Sequence, residues 1–107
     1  MQHLSPQQLA AWLADAAREP PVLLDVREPW EFEICSIRDS LHMPMDKVSQ
    51  RKDELDPDAD TVIVCHHGAR SLQVGVLLEA AGFSKVFNLS GGVDGWAKQV
   101  DPGMPQY

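Results

Sequence analysis

Thr61-Val-Ile-Val-Cys-His-His-Gly-Ala-Arg-Ser71 decides how this chain folds. Residues 61–64 are β-branched and uninterrupted by charge, as in a short strand buried on both faces. Cys65 stands where that strand ends. Residues 69–81 then have helical spacing, with Leu72, Val76, Leu77 and Ala80 as the predicted apolar face and Gly82 as the stop. Only Cys65, His66, His67, Gly68, Ala69 and Arg70 are left to make the turn. A junction this tight aims backbone N–H groups inward and adds the positive end of a helix dipole. A thiol held there is expected to ionise more readily than a free one, whose pKa is about 8.5. The stretch predicts a cysteine nucleophile in an anion-binding cradle.

Upstream, Ser5-Pro6-Gln7-Gln8 carries an N-cap, a proline at the first helical position and the glutamine of a capping box. Leu9, Trp12, Leu13 and Ala16 follow as one apolar stripe, and Pro20-Pro21 ends the element. Residues 22–26 read as a buried strand that Asp25 closes. A short helix over 29–34, a short strand over 40–43 and helical spacing at Met45, Val48, Lys52 and Leu55 come next. Downstream of the loop, residues 85–89 form another strand. Gly91-Gly92 follows, then a helix with Val93, Trp96, Ala97 and Val100 on one face. Strands alternating with helices predict a parallel sheet with right-handed crossovers, and reactive groups at the carboxyl ends of its strands. Asp25 and Cys65 mark those ends.

The chain has 107 residues, which suits one domain covering 1–107, with a core at about 4–100 and a short tail at 101–107. Two cysteines do not make a disulfide scaffold. The start Met-Gln-His-Leu-Ser-Pro lacks the pattern of a secretory leader, and no apolar run is long enough to span a bilayer. Together these predict a soluble protein of a reducing compartment, the cytoplasm. Nine basic against 16 acidic side chains give a net charge of −7, which argues against nucleic-acid and anionic-membrane partners.

His66, His67 and Arg70 are unusual company for an inert core thiol, and they favour a reactive Cys65 over a merely buried one. No metal site is expected: adjacent histidines seldom converge on one ion, and His3 and His42 are isolated. Gly68 suits a turn needing positive φ or close backbone approach. Arg70 opposes the helix dipole in the first turn, which makes sense if an anion sits before it. Ser71 is either an ordinary first-turn residue or a hydrogen-bond donor to the sulfur. Asp25, Arg27 and Glu28 are expected to form a structural ion-pair network. Cys35 is expected to pack, with a resolving role open if it approaches Cys65.

Three stretches carry a family resemblance: Leu23-Leu-Asp-Val-Arg-Glu28, Cys65-His-His-Gly-Ala-Arg-Ser71 and Asn88-Leu-Ser-Gly-Gly-Val-Asp-Gly-Trp96. In this order the sequence resembles a single-domain rhodanese, a sulfurtransferase of the thiosulfate:cyanide class. The resemblance implies a three-layer α/β/α fold around a five-stranded parallel sheet and a persulfide on Cys65. It also implies a cradle from the backbone of residues 66–70, Arg70 and the histidines facing an anionic donor, and Asp25 and Arg27 bracing the pocket. No cofactor is implied. Partners would be a small sulfur donor such as thiosulfate, a thiol or cyanide acceptor, or a protein persulfide. The tail at 100–107 resembles the ends of rhodanese domains fused to ubiquitin-activating-like adenylyltransferases that feed sulfur carriers. Phosphatases and arsenate reductases of the same fold use a loop one residue longer than the six positions from Cys65 to Arg70. They are the alternative, beside a non-catalytic binding module. One departure stands out: where the family has Gly-His-Ile-Pro-Gly-Ala, this chain has Cys35-Ser-Ile-Arg-Asp-Ser40, so the same path with a different turn is expected.

Overall fold

The computed structural model describes all 107 residues. In chain order the elements are β1 (Gln2–Leu4), α1 (Pro6–Ala14), β2 (Val22–Asp25), α2 (Pro29–Ile34), β3 (Leu41–His42), α3 (Met45–Arg51), β4 (Thr61–Val64), α4 (Ala69–Ala80), β5 (Val86–Leu89) and α5 (Gly92–Gln99). The five strands are parallel, in the order β1-β5-β4-β2-β3. The quoted stretch therefore supplies the middle strand, and all four of its residues are buried. Asp25 pairs with Val64, so Asp25 and Cys65 emerge at the same edge of the sheet.

Side chains alternate across the strands and divide the interior in two. Leu23, Val62, Val64, Phe87 and Leu89 point to the side covered by Leu9 and Trp12 of α1 and Val93, Trp96 and Ala97 of α5. Leu24, Ile63, Cys65 and Val86 point to the side covered by Val48 of α3 and Val74 and Leu78 of α4. The fold is thus three layers with a twice-covered parallel sheet, as the resemblance implies.

The capping box at the start of α1 forms as read: the Gln8 N–H donates to Ser5 Oγ at 3.1 Å, and the Ser5 N–H donates to Gln8 Oε1 at 2.8 Å. The helix ends at Ala14, short of Pro20, so Ala16 lies outside it; Leu13, within it, is 38% exposed. Periodicity misses β1 altogether. It is a three-residue edge strand with two exposed residues, which leaves no apolar pattern to find.

The larger correction concerns α4. Its buried face is Ser71, Val74, Gly75 and Leu78, while Leu72, Val76 and Leu77 face outward. The packing face uses small residues that carry no hydrophobic signal: a Cβ on Gly75 would stand 2.3 Å from the Met1 sulfur and 3.5 Å from Val86 of β5. Close approach to the sheet sets the helix's rotation, not the richest stripe of leucine and valine. Beyond the helix, Gly82 takes φ +97° and the Phe83 N–H reaches back to Leu78 O at 3.0 Å, the expected glycine stop.

The divergent 35–40 segment forms a turn between α2 and β3. Ile37 is buried, and the turn places Asp39 at φ +65°, the one non-glycine residue with positive φ. Asp39→Gly should remove that left-handed strain, net of glycine's entropy, and raise stability by about 0.5 kcal/mol. A thermal melt checks this, and a fall in Tm would contradict it.

Candidate active site

Cys65 is 1% exposed, so its sulfur lies at the floor of the loop rather than on its rim. The Gly68 N–H donates to Sγ at 3.0 Å, and Ser71 Oγ lies 3.3 Å from the sulfur. Gly68 has φ +113°, and a Cβ there would sit 3.5 Å from the Gly91 nitrogen. A glycine lets the turn close and aims its own N–H at the thiol.

The loop is braced from below by α5. The Val93 N–H donates to Cys65 O at 2.8 Å, and the Asp94 N–H donates to His66 O at 3.0 Å. These donors lie in the first turn of α5, where N–H groups have no partner within the helix. Gly91 and Gly92, at φ +79° and +57°, bring that turn against the loop. The Gly91-Gly92 pair is thus the support on which the Cys65 loop rests.

Ser71 is fully buried and touches the sulfur, but its Oγ accepts from Cys65 Sγ rather than donating to it. Its Oγ also lies 3.1 Å from Gly68 O and hydrogen-bonds Asn88 Oδ1. Asn88 Nδ2 lies 3.3 Å from His3 Nδ1, and with that nitrogen accepting, the amide turns its oxygen toward Ser71.

Arg70 meets an anion, and the anion is the chain's own Glu31. Its two guanidinium nitrogens bind Glu31 Oε1 at 2.5 Å and Oε2 at 2.8 Å, a bidentate pair with the carboxylate 4% exposed. Glu31 also accepts from the Glu28 N–H at 3.0 Å, closing the capping box of α2, and from the Tyr107 hydroxyl at 2.7 Å. Bonding to Arg70 first, and then to these donors, holds the Glu31 carboxyl down at about 2 against the cost of burial. The same pair holds Arg70 firmly charged.

Asp25 and Arg27 form the expected ion pair, both fully buried. Arg27 Nε donates to Oδ1 at 2.9 Å and Nη2 to Oδ2 at 2.6 Å. Its Nη1 also reaches Glu31 O at 3.2 Å and Tyr107 Oη at 3.0 Å, and its Nη2 reaches Cys35 O at 2.7 Å. Burial works against the charge on Arg27, but bonds to Asp25 and Tyr107 outweigh it. Glu28 contributes its backbone rather than its carboxylate; Glu31 takes the place expected for it. Cys35 and Cys65 are free and pack in two separate cores.

His66 stacks on Tyr107, with ring centroids 4.0 Å apart and planes 11° apart, and lies 3.9 Å from His67. Burial, then the neighbouring His67, lowers the His66 pKa and favours its neutral form. His67 is exposed and lies 3.7 Å from Asp94. His66, His67 and Asp94 have ligand atoms within 4.8 Å of one another and are the residues that could hold a metal. Tetrahedral zinc needs them roughly 3.4 Å apart, and Asp94 is already paired with Lys98 at 3.0 Å.

Sequence reasoning missed Glu31, Asn88 and Tyr107. Glu31 had a signal, three residues after Glu28 at the start of a Pro-initiated helix. Asn88 had one too, as the polar residue of an otherwise apolar strand. Tyr107 had none, since its contacts are 76 and 80 residues away in the chain.

The sequence pattern of the rhodanese-like domain family matches residues 5–99. The chain is 38% identical over 99 residues to a sulfurtransferase of Allochromatium vinosum, covering 92% of this chain and 88% of that protein. It is 34% identical over 106 residues to the probable adenylyltransferase/sulfurtransferase MoeZ of Mycobacterium tuberculosis, covering 97% of this chain but only 26% of MoeZ. A rhodanese-like domain protein from Staphylococcus aureus superposes with a TM-score of 0.85 at 27% identity, covering 100% of this chain and 99% of that one.

Proposed function

This chain belongs to the rhodanese-like domain family, and from that premise we propose that it is a sulfurtransferase carrying sulfane sulfur as a persulfide on Cys65. The observation that supports the reading most directly is the buried thiol that accepts from the Gly68 N–H and donates to Ser71 Oγ. Six positions from Cys65 to Arg70 form a bowl suited to one sulfur atom rather than to a tetrahedral oxyanion.

In the first half-reaction the Cys65 thiolate attacks the outer sulfur of the donor. The donor's S–S bond breaks, and the leaving thiolate, or sulfite from thiosulfate, takes the bonding pair. The anionic terminal sulfur of the persulfide then occupies the bowl. In the second, an acceptor thiolate or cyanide attacks that terminal sulfur and Cys65 departs as thiolate, ready for another cycle. Asp25 and Arg27 hold the strand end and loop in place and take no part in bond exchange.

The donor we favour is a persulfide on a protein or small thiol. The loop's one permanent cation, Arg70, has both arms of its fork on Glu31, and the chain's net charge is −7. A dianion such as thiosulfate finds little to bind there. An adenylyltransferase or sulfur-carrier protein as acceptor follows from the 100–107 tail and the likeness to MoeZ. A reducing compartment, the cytoplasm, suits two unpaired cysteines. No helix is long and apolar enough to cross a membrane.

Mass spectrometry without reductant tests the reading. Incubation with a cysteine persulfide should add about 32 Da at Cys65, one sulfur captured by the nucleophile. Reductant should remove the added mass, and Cys65→Ser should never acquire it. Thiosulfate should load more slowly. Absence of an adduct with every donor, or an adduct that persists in Cys65→Ser, contradicts the proposal.

A further inference from the structure

We propose that Tyr107 is a positioning residue for the Cys65 loop, holding Arg70 in place through its partner Glu31, and His66 by stacking on it, rather than by contact with the reacting sulfur. The inference deepens the sulfurtransferase reading, because positioning matters only if the loop performs chemistry. Four contacts converge on this residue. Its hydroxyl donates to Glu31 Oε2 at 2.7 Å and accepts from Arg27 Nη1 at 3.0 Å. Its ring lies parallel to His66 at 4.0 Å, while Trp30 meets it edge-on at 5.7 Å.

The segment carrying Tyr107 is fixed in turn. Met104 is buried in the core beside α5, the Asp101 N–H donates to Trp96 O and the Met104 N–H donates to Asp101 O, both at 3.0 Å. Tyr107 is thus delivered to the loop by an anchored strap. Burial pushes its phenol up to about 12, so it stays a neutral donor wherever the protein works.

Glu31 and Arg70 meet as a two-point pair, and the Tyr107 hydroxyl fills the last acceptor direction on the Oε2 side. Removing it leaves Oε2 with Arg70 alone and opens the space to water, which weakens the field that Arg70 exerts at Cys65. Removing the ring also leaves His66 with only the tilted ring of exposed His67 beside it. Arg70 and His66 flank Gly68, whose N–H points at the sulfur, so loosening both blurs the geometry at the nucleophile.

The experiment compares the parent chain with Tyr107→Phe and Tyr107→Ala. The donor-free readout is the rate of Cys65 alkylation by iodoacetamide at neutral pH. The second is sulfur loading and turnover with a cysteine persulfide. Tyr107→Ala should slow both by about tenfold, the scale of one hydrogen bond to a charged group. Tyr107→Phe keeps the stack and should recover part of the loss. Because the effect is on the loop and not on donor binding, kcat should fall while KM changes by less than about twofold. Parental alkylation and turnover in Tyr107→Ala, with only a lower Tm, would make the tail a structural strap and overturn the proposal. If the parent itself takes up no sulfur but its alkylation still depends on Tyr107, the positioning stands and the sulfurtransferase reading fails.

Discussion

Gly92→Ala should lower stability by about 3–5 kcal/mol and cut Cys65 reactivity by about a hundredfold. An added Cβ would stand 2.3 Å from Cys65 O and 2.4 Å from His66 O. Both are backbone atoms, so no rotamer relieves the contact; the loop or the first turn of α5 must move. Movement breaks the bonds from the Val93 and Asp94 N–H groups to those carbonyls, 2.8 and 3.0 Å long. The residue also sits at φ +57°, where a side chain costs about 1–2 kcal/mol by itself. Gly82→Ala is the matched control, since its φ is +97° but nothing lies within 4 Å of the new Cβ. It should cost only the backbone share and leave Cys65 alkylation unchanged. Domains of this kind hold about 5–15 kcal/mol in all, so Gly92→Ala should show a large fall in Tm. Equal losses in the two variants would mean that the contact with the loop carries no weight.

Glu31→Gln is the second large effect. The carboxylate receives four donors: two from Arg70, one from Tyr107 and one from the Glu28 backbone. An amide has one acceptor oxygen, and its NH2 would face donors it cannot accept from. Arg70 would lose its bonded counter-charge in a largely enclosed position. A carboxyl held at about 2 in the folded chain and at its ordinary value when unfolded contributes about 3 kcal/mol at neutral pH. The sign follows from the lowered pKa: the contribution is complete above the ordinary carboxylate range and disappears as pH falls toward 2. Denaturant titrations should therefore give a deficit of about 3 kcal/mol for Glu31→Gln at pH 7 that shrinks steadily below about pH 4. A deficit equal at both pH values would assign the cost to shape rather than charge. Persulfide loading should also fall, because Arg70 would then be free to swing away from the loop.

Much of the site is legible in the chain alone. Cys65 at the end of a β-branched run, Gly68 at the turn and Arg70 in the first helical turn are local facts. Local chemistry explains them: a strand of Thr61–Val64 can only be buried, and a helix must start at Ala69. That Arg70 faces an anion is local too, but the identity of the anion is not. Glu31 lies 39 residues away, and only the packing of α2 against the loop selects it over an incoming ligand. Hydropathy misplaces the rotation of α4, because Ser71 and Gly75 pack by being small and smallness carries no weight on that scale.

The alternation of strands and helices from β2 onward, the parallel sheet with Asp25 and Cys65 at one edge, and the cysteine as the candidate nucleophile are written in the chain; β1 is not. Periodicity, capping residues and turn chemistry act over a few residues, so no folded context is needed to read them. What surrounds the thiol is fixed only when the layers close. Closure places α5 beneath the loop, locks Arg70 onto Glu31, joins Ser71 to Asn88, and carries Tyr107 back across the fold to His66. Those pairings depend on which groups reach one another once two cores have closed on the sheet, and desolvation then gives each a strength that no neighbourhood in the sequence contains.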